Sequence, residues 1–176
     1  MMSRTATKFR ICTLVCISAL FLLLPPASAS DGTAFENLVR QYEEARLALI
    51  NDTTDGIVAH ARAMIDTLDE LKTDLSATRA GVKPENVAEI RSLIPSLRSA
   101  AEALASATDL ESARTAFYEL TKPLVRWRSA AVVELPAVAY CPMAKRSWLQ
   151  PEGEVSNPYY GQSMLTCGDL LPDKSK

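Results

Sequence analysis

Two short segments near the C-terminal end of the chain each carry a cysteine and a methionine. Cys141 and Met143 lie two residues apart, and Met164 and Cys167 lie three residues apart. Thiolate and thioether sulfurs are soft donors that bind Cu(I), and by the same argument Ag(I), in preference to hard ions such as Mg²⁺ or Ca²⁺. Pro142 fixes the backbone between the first two donors, which lowers the entropy lost when a site closes around an ion. The four sulfur side chains therefore predict a soft-metal site.

The same two cysteines are also compatible with a disulfide bond. A bridge between Cys141 and Cys167 would close a loop of about 27 residues and would stabilise the fold by roughly 3.5 kcal/mol in the chain-entropy model. Met143 and Met164 would then be ordinary core residues, and the protein would be a structural or adaptor domain without a metal. The residues themselves leave both interpretations open.

Two further side chains are candidates for a role near the sulfurs. His60, the only histidine in the sequence, lies at the edge of a helical apolar stripe. A packed histidine is the simpler interpretation, and an additional metal ligand is the alternative. Trp148 could shield a sulfur site from solvent, although a packing anchor is the simpler interpretation for a tryptophan.

The segment 157–161 has the composition of a turn with aromatic anchors, since proline and glycine preset the backbone. We expect this turn to return the second sulfur pair toward Cys141. The predicted scaffold of the site consists of Pro142, Trp148, Asn157, Pro158, Tyr159, Tyr160 and Gly161.

The N-terminal segment 1–29 has the features of a secretory signal peptide. Three basic residues precede an uncharged run of fourteen residues at 11–24, which is shorter than the roughly 20 apolar residues that span a membrane. Two prolines and the small residues Ala27-Ser28-Ala29 follow, and they predict cleavage after Ala29. We therefore expect a periplasmic or secreted protein with no stable membrane insertion after cleavage; an uncleaved anchor is the alternative.

Cleavage would leave a mildly acidic chain. The full sequence of 176 residues has 19 basic and 21 acidic residues, and the signal contains only basic ones. The absence of a basic footprint argues against a nucleic-acid partner. A single histidine excludes multi-histidine zinc or iron sites, and two distant cysteines give no redox motif. We therefore do not expect an enzyme. Cys141 and Cys167 would be the remaining cysteines, in an oxidising compartment where cysteines ordinarily pair.

Apolar residues at helical spacing fill most of the chain between residues 30 and 133. They predict helices over about 34–50, 57–76, 84–104 and 108–127. Capping boxes at Thr33 with Glu36 and at Thr108 with Glu111 would begin the first and last of these, and Pro95 and Pro123 predict kinks or breaks. Short connections between such helices predict an all-α fold, an antiparallel up-down four-helix bundle. The segment 134–176 has no helical period and five prolines, and we expect an irregular tail that folds back onto the bundle within one domain.

The tail resembles a bacterial exported domain of unknown function. The resemblance rests on four blocks in the same order: YCPMA at 140–144, WLQ at 148–150, NPYYG at 157–161 and MLTCG at 164–168. That domain is found alone or appended to adaptor subunits of CusB-type copper/silver efflux systems. The resemblance implies export, soft-metal handling and components of copper/silver efflux as partners, and it implies a ligand role for Cys141, Met143, Met164 and Cys167. The loop at 144–147 is shorter than usual in the family.

Residues and resemblance together predict a periplasmic binding module for Cu(I) or Ag(I), a buffer or carrier associated with copper handling or efflux. The alternative is a structural or adaptor helical domain held by a disulfide between Cys141 and Cys167.

Overall fold

Helices make up the larger part of the structure, a computed structural model that describes residues 32–173. The helices are α1 (Ala34–Ile50), α2 (Ile57–Thr73), α3 (Ala77–Ala80), α4 (Val87–Ala105) and α5 (Leu110–Ala130). Three strands follow: β1 (Ala137–Cys141), β2 (Arg146–Gln150) and β3 (Asp169–Leu170). The predicted signal peptide, 1–29, lies outside the described residues. Within 32–173, no helix has the length and apolar character needed to cross a membrane.

The prediction of an all-α four-helix bundle with an irregular tail is wrong, because the segment after residue 133 forms a sheet. Its antiparallel strands have the order β2-β1-β3. The prolines that suggested an irregular chain flank the strands: Pro136 precedes β1, Pro142 follows it and Pro151 follows β2. Proline cannot donate to a ladder but is tolerated at strand ends, so these residues mark strand boundaries. The fold is mixed α/β.

Capping boxes were predicted at the starts of α1 and α5, and the structure agrees with the first and differs from the second. The capping box at the start of α1 is confirmed, since Thr33 Oγ1 accepts the Glu36 N–H and the Glu36 carboxylate accepts the Thr33 N–H. The predicted box at the start of α5 is wrong by one residue. Asp109 is the N-cap there, and its carboxylate accepts the Ser112 N–H at 2.8 Å. An aspartate is a better N-cap than a threonine, which explains the shift.

The second predicted helix is shorter than expected. Helix α2 ends at Thr73, and the separate turn α3 begins at the N-cap Ser76 and ends at Gly81 in the left-handed region. Helices α4 and α5 continue through Pro95 and Pro123 respectively, so neither proline breaks its helix.

The helices pack in the order α1, α2, α4, α5, and β2 packs on α5. Tyr42 joins these layers. Its fully buried hydroxyl lies 2.7 Å from Thr121 Oγ1 of α5 and accepts the Leu149 N–H of β2 at 3.2 Å. Its ring stacks on Phe117 with 4.3 Å between centroids. The sheet is therefore held against the helices by a buried polar contact as well as by apolar packing.

Candidate functional site: the thiol pair

Strand pairing brings the two cysteines together. Cys141 is the last residue of β1, and the neighbouring Tyr140 pairs with Asp169 of β3. Continuing that antiparallel register by one residue places Gly168 beside Cys141, and Cys167 comes next along the chain. The two sulfur atoms lie 2.9 Å apart, and both cysteines are free thiols.

The separation of the two sulfurs lies between the values of two alternative states. A disulfide requires about 2.05 Å between the sulfurs. Two thiolates bound to one ion at about 2.3 Å in a tetrahedral arrangement would lie roughly 3.8 Å apart. The sulfurs would move together by about 0.9 Å to form a disulfide, or apart by about 0.9 Å to bind one ion. The geometry therefore allows both chemistries without rearranging the strands.

The surroundings of the two thiols shift their pKa values in opposite directions. Burial raises the pKa of Cys141, but hydrogen bonds from the Cys167 thiol and from the Ala144 and Met143 N–H groups outweigh burial and hold this pKa below its ordinary value. The hydrogen bond to Cys141 raises the pKa of Cys167, and burial and the negative charge of Asp169 act in the same direction. The pair therefore loses its first proton more readily, and its second less readily, than two isolated cysteines.

The two methionines flank the thiols along the backbone. The Met143 N–H faces both sulfurs from the turn at 142–145, while the Met143 side chain is 64% exposed. Met164 is half-buried, and its carbonyl accepts the Cys167 N–H at 3.1 Å. Both residues thus lie one turn from a thiol, with the Met143 thioether on the solvent side.

Asn157 is the buried residue that positions Cys167. Its side-chain amide donates to the Cys167 carbonyl at 2.7 Å, and its side-chain oxygen accepts the Tyr159 N–H at 2.8 Å. Its backbone N–H donates to the Leu165 carbonyl at 2.7 Å. All of these bonds are internal to the segment 157–167, so Asn157 closes this segment into a loop that ends at the second thiol.

Trp148 forms the floor below this loop. Its side chain is fully buried, and its indole N–H donates to Gln150 Oε1 at 2.9 Å. Gly168 crosses directly over it with a φ of 137°, and a Cβ there would lie 2.8 Å from Trp148 Cη2 and 2.9 Å from the Tyr140 carbonyl oxygen. The glycine next to Cys167 is therefore required by close approach of the chain to both the ring and β1.

The remaining predicted scaffold residues differ from one another in burial and in contacts. Tyr159 is buried, and its hydroxyl donates to the Ser147 carbonyl at 2.6 Å. The Arg146 guanidinium lies over the Tyr159 ring at 5.3 Å. Pro158 is buried and Tyr160 is half-buried, whereas Pro142 is exposed in the turn after β1.

A clamp between the loop and the helices was not predicted from the sequence. The Arg114 guanidinium of α5 donates to the Pro158 carbonyl at 2.9 Å and pairs with Asp52 at 2.5 Å. Asp52 also accepts the Gln162 N–H at 3.1 Å. Gly161 fits between them with a φ of 53°, and a Cβ at this position would overlap the Asp52 carboxylate. Arg114 and Asp52 belong to no sequence motif, so the clamp has no signal in the sequence. The composition Asn-Pro-Tyr-Tyr-Gly indicated only the loop.

The structure does not bring His60 to the thiol pair. His60 Nδ1 lies 2.9 Å from Gln41 Oε1 of α1. In the part of the chain from 32 to 173, no three His, Cys, Asp or Glu side chains are grouped so that they could hold a metal ion. A soft-metal site at this position would therefore depend on the two thiols and on methionine sulfur.

Comparison with known proteins gives no match: neither a protein-family model nor a curated protein matches the sequence, and no solved structure matches the fold. The resemblance of the tail to an exported domain associated with copper/silver efflux therefore stays a prediction.

Proposed function

We propose that the protein is a periplasmic binding module for Cu(I) or Ag(I) in which Cys141 and Cys167 are the principal ligands. The observation that supports this proposal most directly is the separation of 2.9 Å between two free thiols, one at the end of β1 and the other two residues before β3. A soft monovalent ion matches thiolate donors, and the hydrogen bonds that lower the pKa of Cys141 favour its thiolate form.

Methionine sulfur would complete the coordination. The Met143 side chain, 64% exposed, extends from the same turn whose backbone faces both thiols. Met164 lies three residues before Cys167 in the loop closed by Asn157. Reorientation of these two unbranched side chains needs no change in the strands.

The surroundings favour a carrier or buffer over a sealed storage site. Cys141 is fully buried, whereas Cys167 is half-buried and Met143 faces solvent. An ion held there is reachable by the ligands of another protein. This arrangement suits exchange with components of copper or silver efflux, the partners that the resemblance of the tail implies. Export through the segment 1–29 forms part of the same proposal.

Competition titration tests the proposal. Reduced protein from residue 30 onward is titrated with Cu(I) against a chelator without oxygen. We expect one ion per chain, weaker binding in C141S and C167S, and loss of binding in the double variant. M143L and M164L should each weaken binding, while M64L, which changes a fully buried core methionine, serves as the matched control. Absence of binding, or equal binding by the double cysteine variant, would contradict the proposal.

The same short separation favours a second candidate, a structural domain held by a disulfide. Formation of this disulfide removes two protons and two electrons from the thiols. An oxidant of the periplasm that bears a disulfide would accept the electrons. Thiols are trapped by alkylation during isolation from the native compartment and counted by mass spectrometry. Two alkylated cysteines support metal binding, whereas a bridge in every preparation supports the structural role.

A further inference from the structure

A second concave surface lies away from the thiols. This cleft, of about 770 Å³, opens between α1, the segment 133–136 and the end of β2. Pro136 lines it, and Cys141 lies five residues further along β1. At about 3.4 Å per residue in an antiparallel strand, Pro136 is roughly 17 Å from Cys141 along the chain, and Leu149, which pairs with Val138, is roughly 10 Å from it. The two sites are therefore physically separate.

The floor of the cleft is apolar. Phe35 and Val39 of α1 line one wall, and Leu135, Pro136 and Leu149 line the other. A volume of this size is within the range of roughly 300–1,000 Å³ in which proteins bury ligands or side chains of a partner. An occupant that fills it must supply apolar groups.

The rim of the cleft is strongly acidic. Six carboxylates and one cation, Arg40, line it; the carboxylates are those of Glu36, Glu43, Glu44, Glu134, Glu152 and Asp173. Three of these are already engaged: Glu36 in the capping box of α1, Glu43 with Arg46 and Asp173 with Arg128.

The other three carboxylates have no partner within the described residues. Glu44, Glu134 and Glu152 are exposed, and none of them forms a side-chain hydrogen bond or ion pair with another residue of the described range 32–173. They surround an apolar floor from both sides of the cleft. An occupant with cations beside its apolar groups would pair with them, while an acidic occupant would be repelled.

We propose that this cleft docks a segment of a partner protein that combines apolar side chains with lysine or arginine. The apolar side chains occupy the floor next to the half-buried Val39 and Leu135, and the cations pair with Glu44, Glu134 and Glu152. Because the cleft is separate from the thiols, docking holds the partner on the protein without covering Cys141 or Cys167. The inference is independent of metal binding.

A synthetic peptide of Lys and Leu residues is the probe, and binding to the protein from residue 30 onward is followed by calorimetry and by methyl NMR. We expect shifts at Val39, Leu135 and Leu149. The same peptide with Glu in place of Lys, or with Ser in place of Leu, should bind at least about tenfold more weakly. Affinity should fall as salt rises from about 0.01 to 0.15 M, since the rim charges are exposed.

Two triple variants with the same change in net charge separate local from general electrostatics. E44Q/E134Q/E152Q removes the unpaired rim charges and should weaken binding by about threefold or more, because three exposed ion pairs with the probe are lost. D66N/E85Q/E111Q removes three exposed charges outside the cleft and should bind as the wild type does, as should C141S/C167S.

Several results would overturn the proposal. These are equal weakening by the two triple variants, methyl shifts away from the cleft, or equal binding of the Glu-Leu peptide. Shifts of the cleft methyl groups that depend on protein concentration alone would identify a second copy of the chain as the occupant and would likewise overturn it.

Discussion

The substitution Asn157→Ala tests how the fold holds the second thiol in place. Asn157 is fully buried, and its amide satisfies the Cys167 carbonyl and the Tyr159 N–H. Each buried polar group left unpaired costs about 1–3 kcal/mol. Because Cys167 is half-buried and water can reach part of that segment, we expect a total loss of about 2–3 kcal/mol of unfolding free energy. With an m-value of about 1–3 kcal/mol per molar urea, the midpoint should fall by roughly 0.7–3 M.

The same substitution should weaken Cu(I) binding. Loss of a residue that orients a metal ligand typically lowers affinity by about 10–100-fold, and we expect this range for N157A under the competition titration. Asn51→Ala is the matched control, because the Asn51 amide makes one exposed hydrogen bond, to the Leu47 carbonyl at 2.9 Å. It should change stability by less than about 0.5 kcal/mol and leave affinity unchanged.

Asn157→Asp separates the two roles of the amide. The carboxylate can still accept the Tyr159 N–H but, when ionised, cannot donate to the Cys167 carbonyl. We expect N157D to lose metal affinity as N157A does. If N157A lowers the urea midpoint but both variants bind Cu(I) as tightly as the wild type, Asn157 does not position Cys167 and the argument is refuted.

Three further predictions concern the clamp and the thiols. Gly161→Ala should lower stability by about 1–3 kcal/mol in thermal unfolding, because its Cβ would overlap the Asp52 carboxylate; an unchanged melting temperature would contradict this. Hydrogen bonding to Arg114 holds the pKa of Asp52 below its usual value, so the clamp stabilises the fold above the unfolded pKa of about 3.9 and is lost as pH falls through the folded pKa. The stability difference between wild type and D52N should therefore shrink in acid, and a constant difference would show that ionisation of Asp52 plays no part. If Cys141 and Cys167 share one proton, Cu(I) displaces that proton, and the affinity should fall about tenfold for each unit by which the pH is lowered. A hundredfold fall per unit would mean that both cysteines are protonated thiols before the ion binds.

Helices could be predicted from the sequence because their signals are local. The bounds of α1 follow from its apolar period and from the capping box at Thr33. The sheet could not be predicted in this way, since β1 reads Ala-Val-Ala-Tyr-Cys without polar alternation and β3 has only two residues. Strand β3 exists because it pairs with β1, which is a property of the folded chain.

In the candidate site, too, some features have a local sequence signal and others depend on the folded chain. Residue types alone predicted Cys141 and Cys167 as ligands and Asn157 as part of the scaffold, and these roles stay predictions. Their convergence depends on the register between β1 and β3 and on a clamp from α5, neither of which has a sequence signature. Arg114 is one of several arginines on amphipathic helices, and only the folded structure distinguishes it, through its contact with the Pro158 carbonyl.

The protonation of the thiol pair bears on which ion it would accept. Hydrogen bonding between Cys141 and Cys167 lowers the pKa of the first and raises that of the second, which stabilises a thiolate and a thiol that share one proton. Such a pair carries a single negative charge. When a monovalent ion replaces the shared proton, the charge of the site stays the same, and the surrounding N–H groups of Met143 and Ala144 keep the partner for which they are arranged. A divalent ion would change the charge of the pair from minus one to zero. We therefore expect Cu(I) or Ag(I) at the proposed site to preserve the charge around which the N–H donors are arranged, in addition to matching its soft sulfur donors.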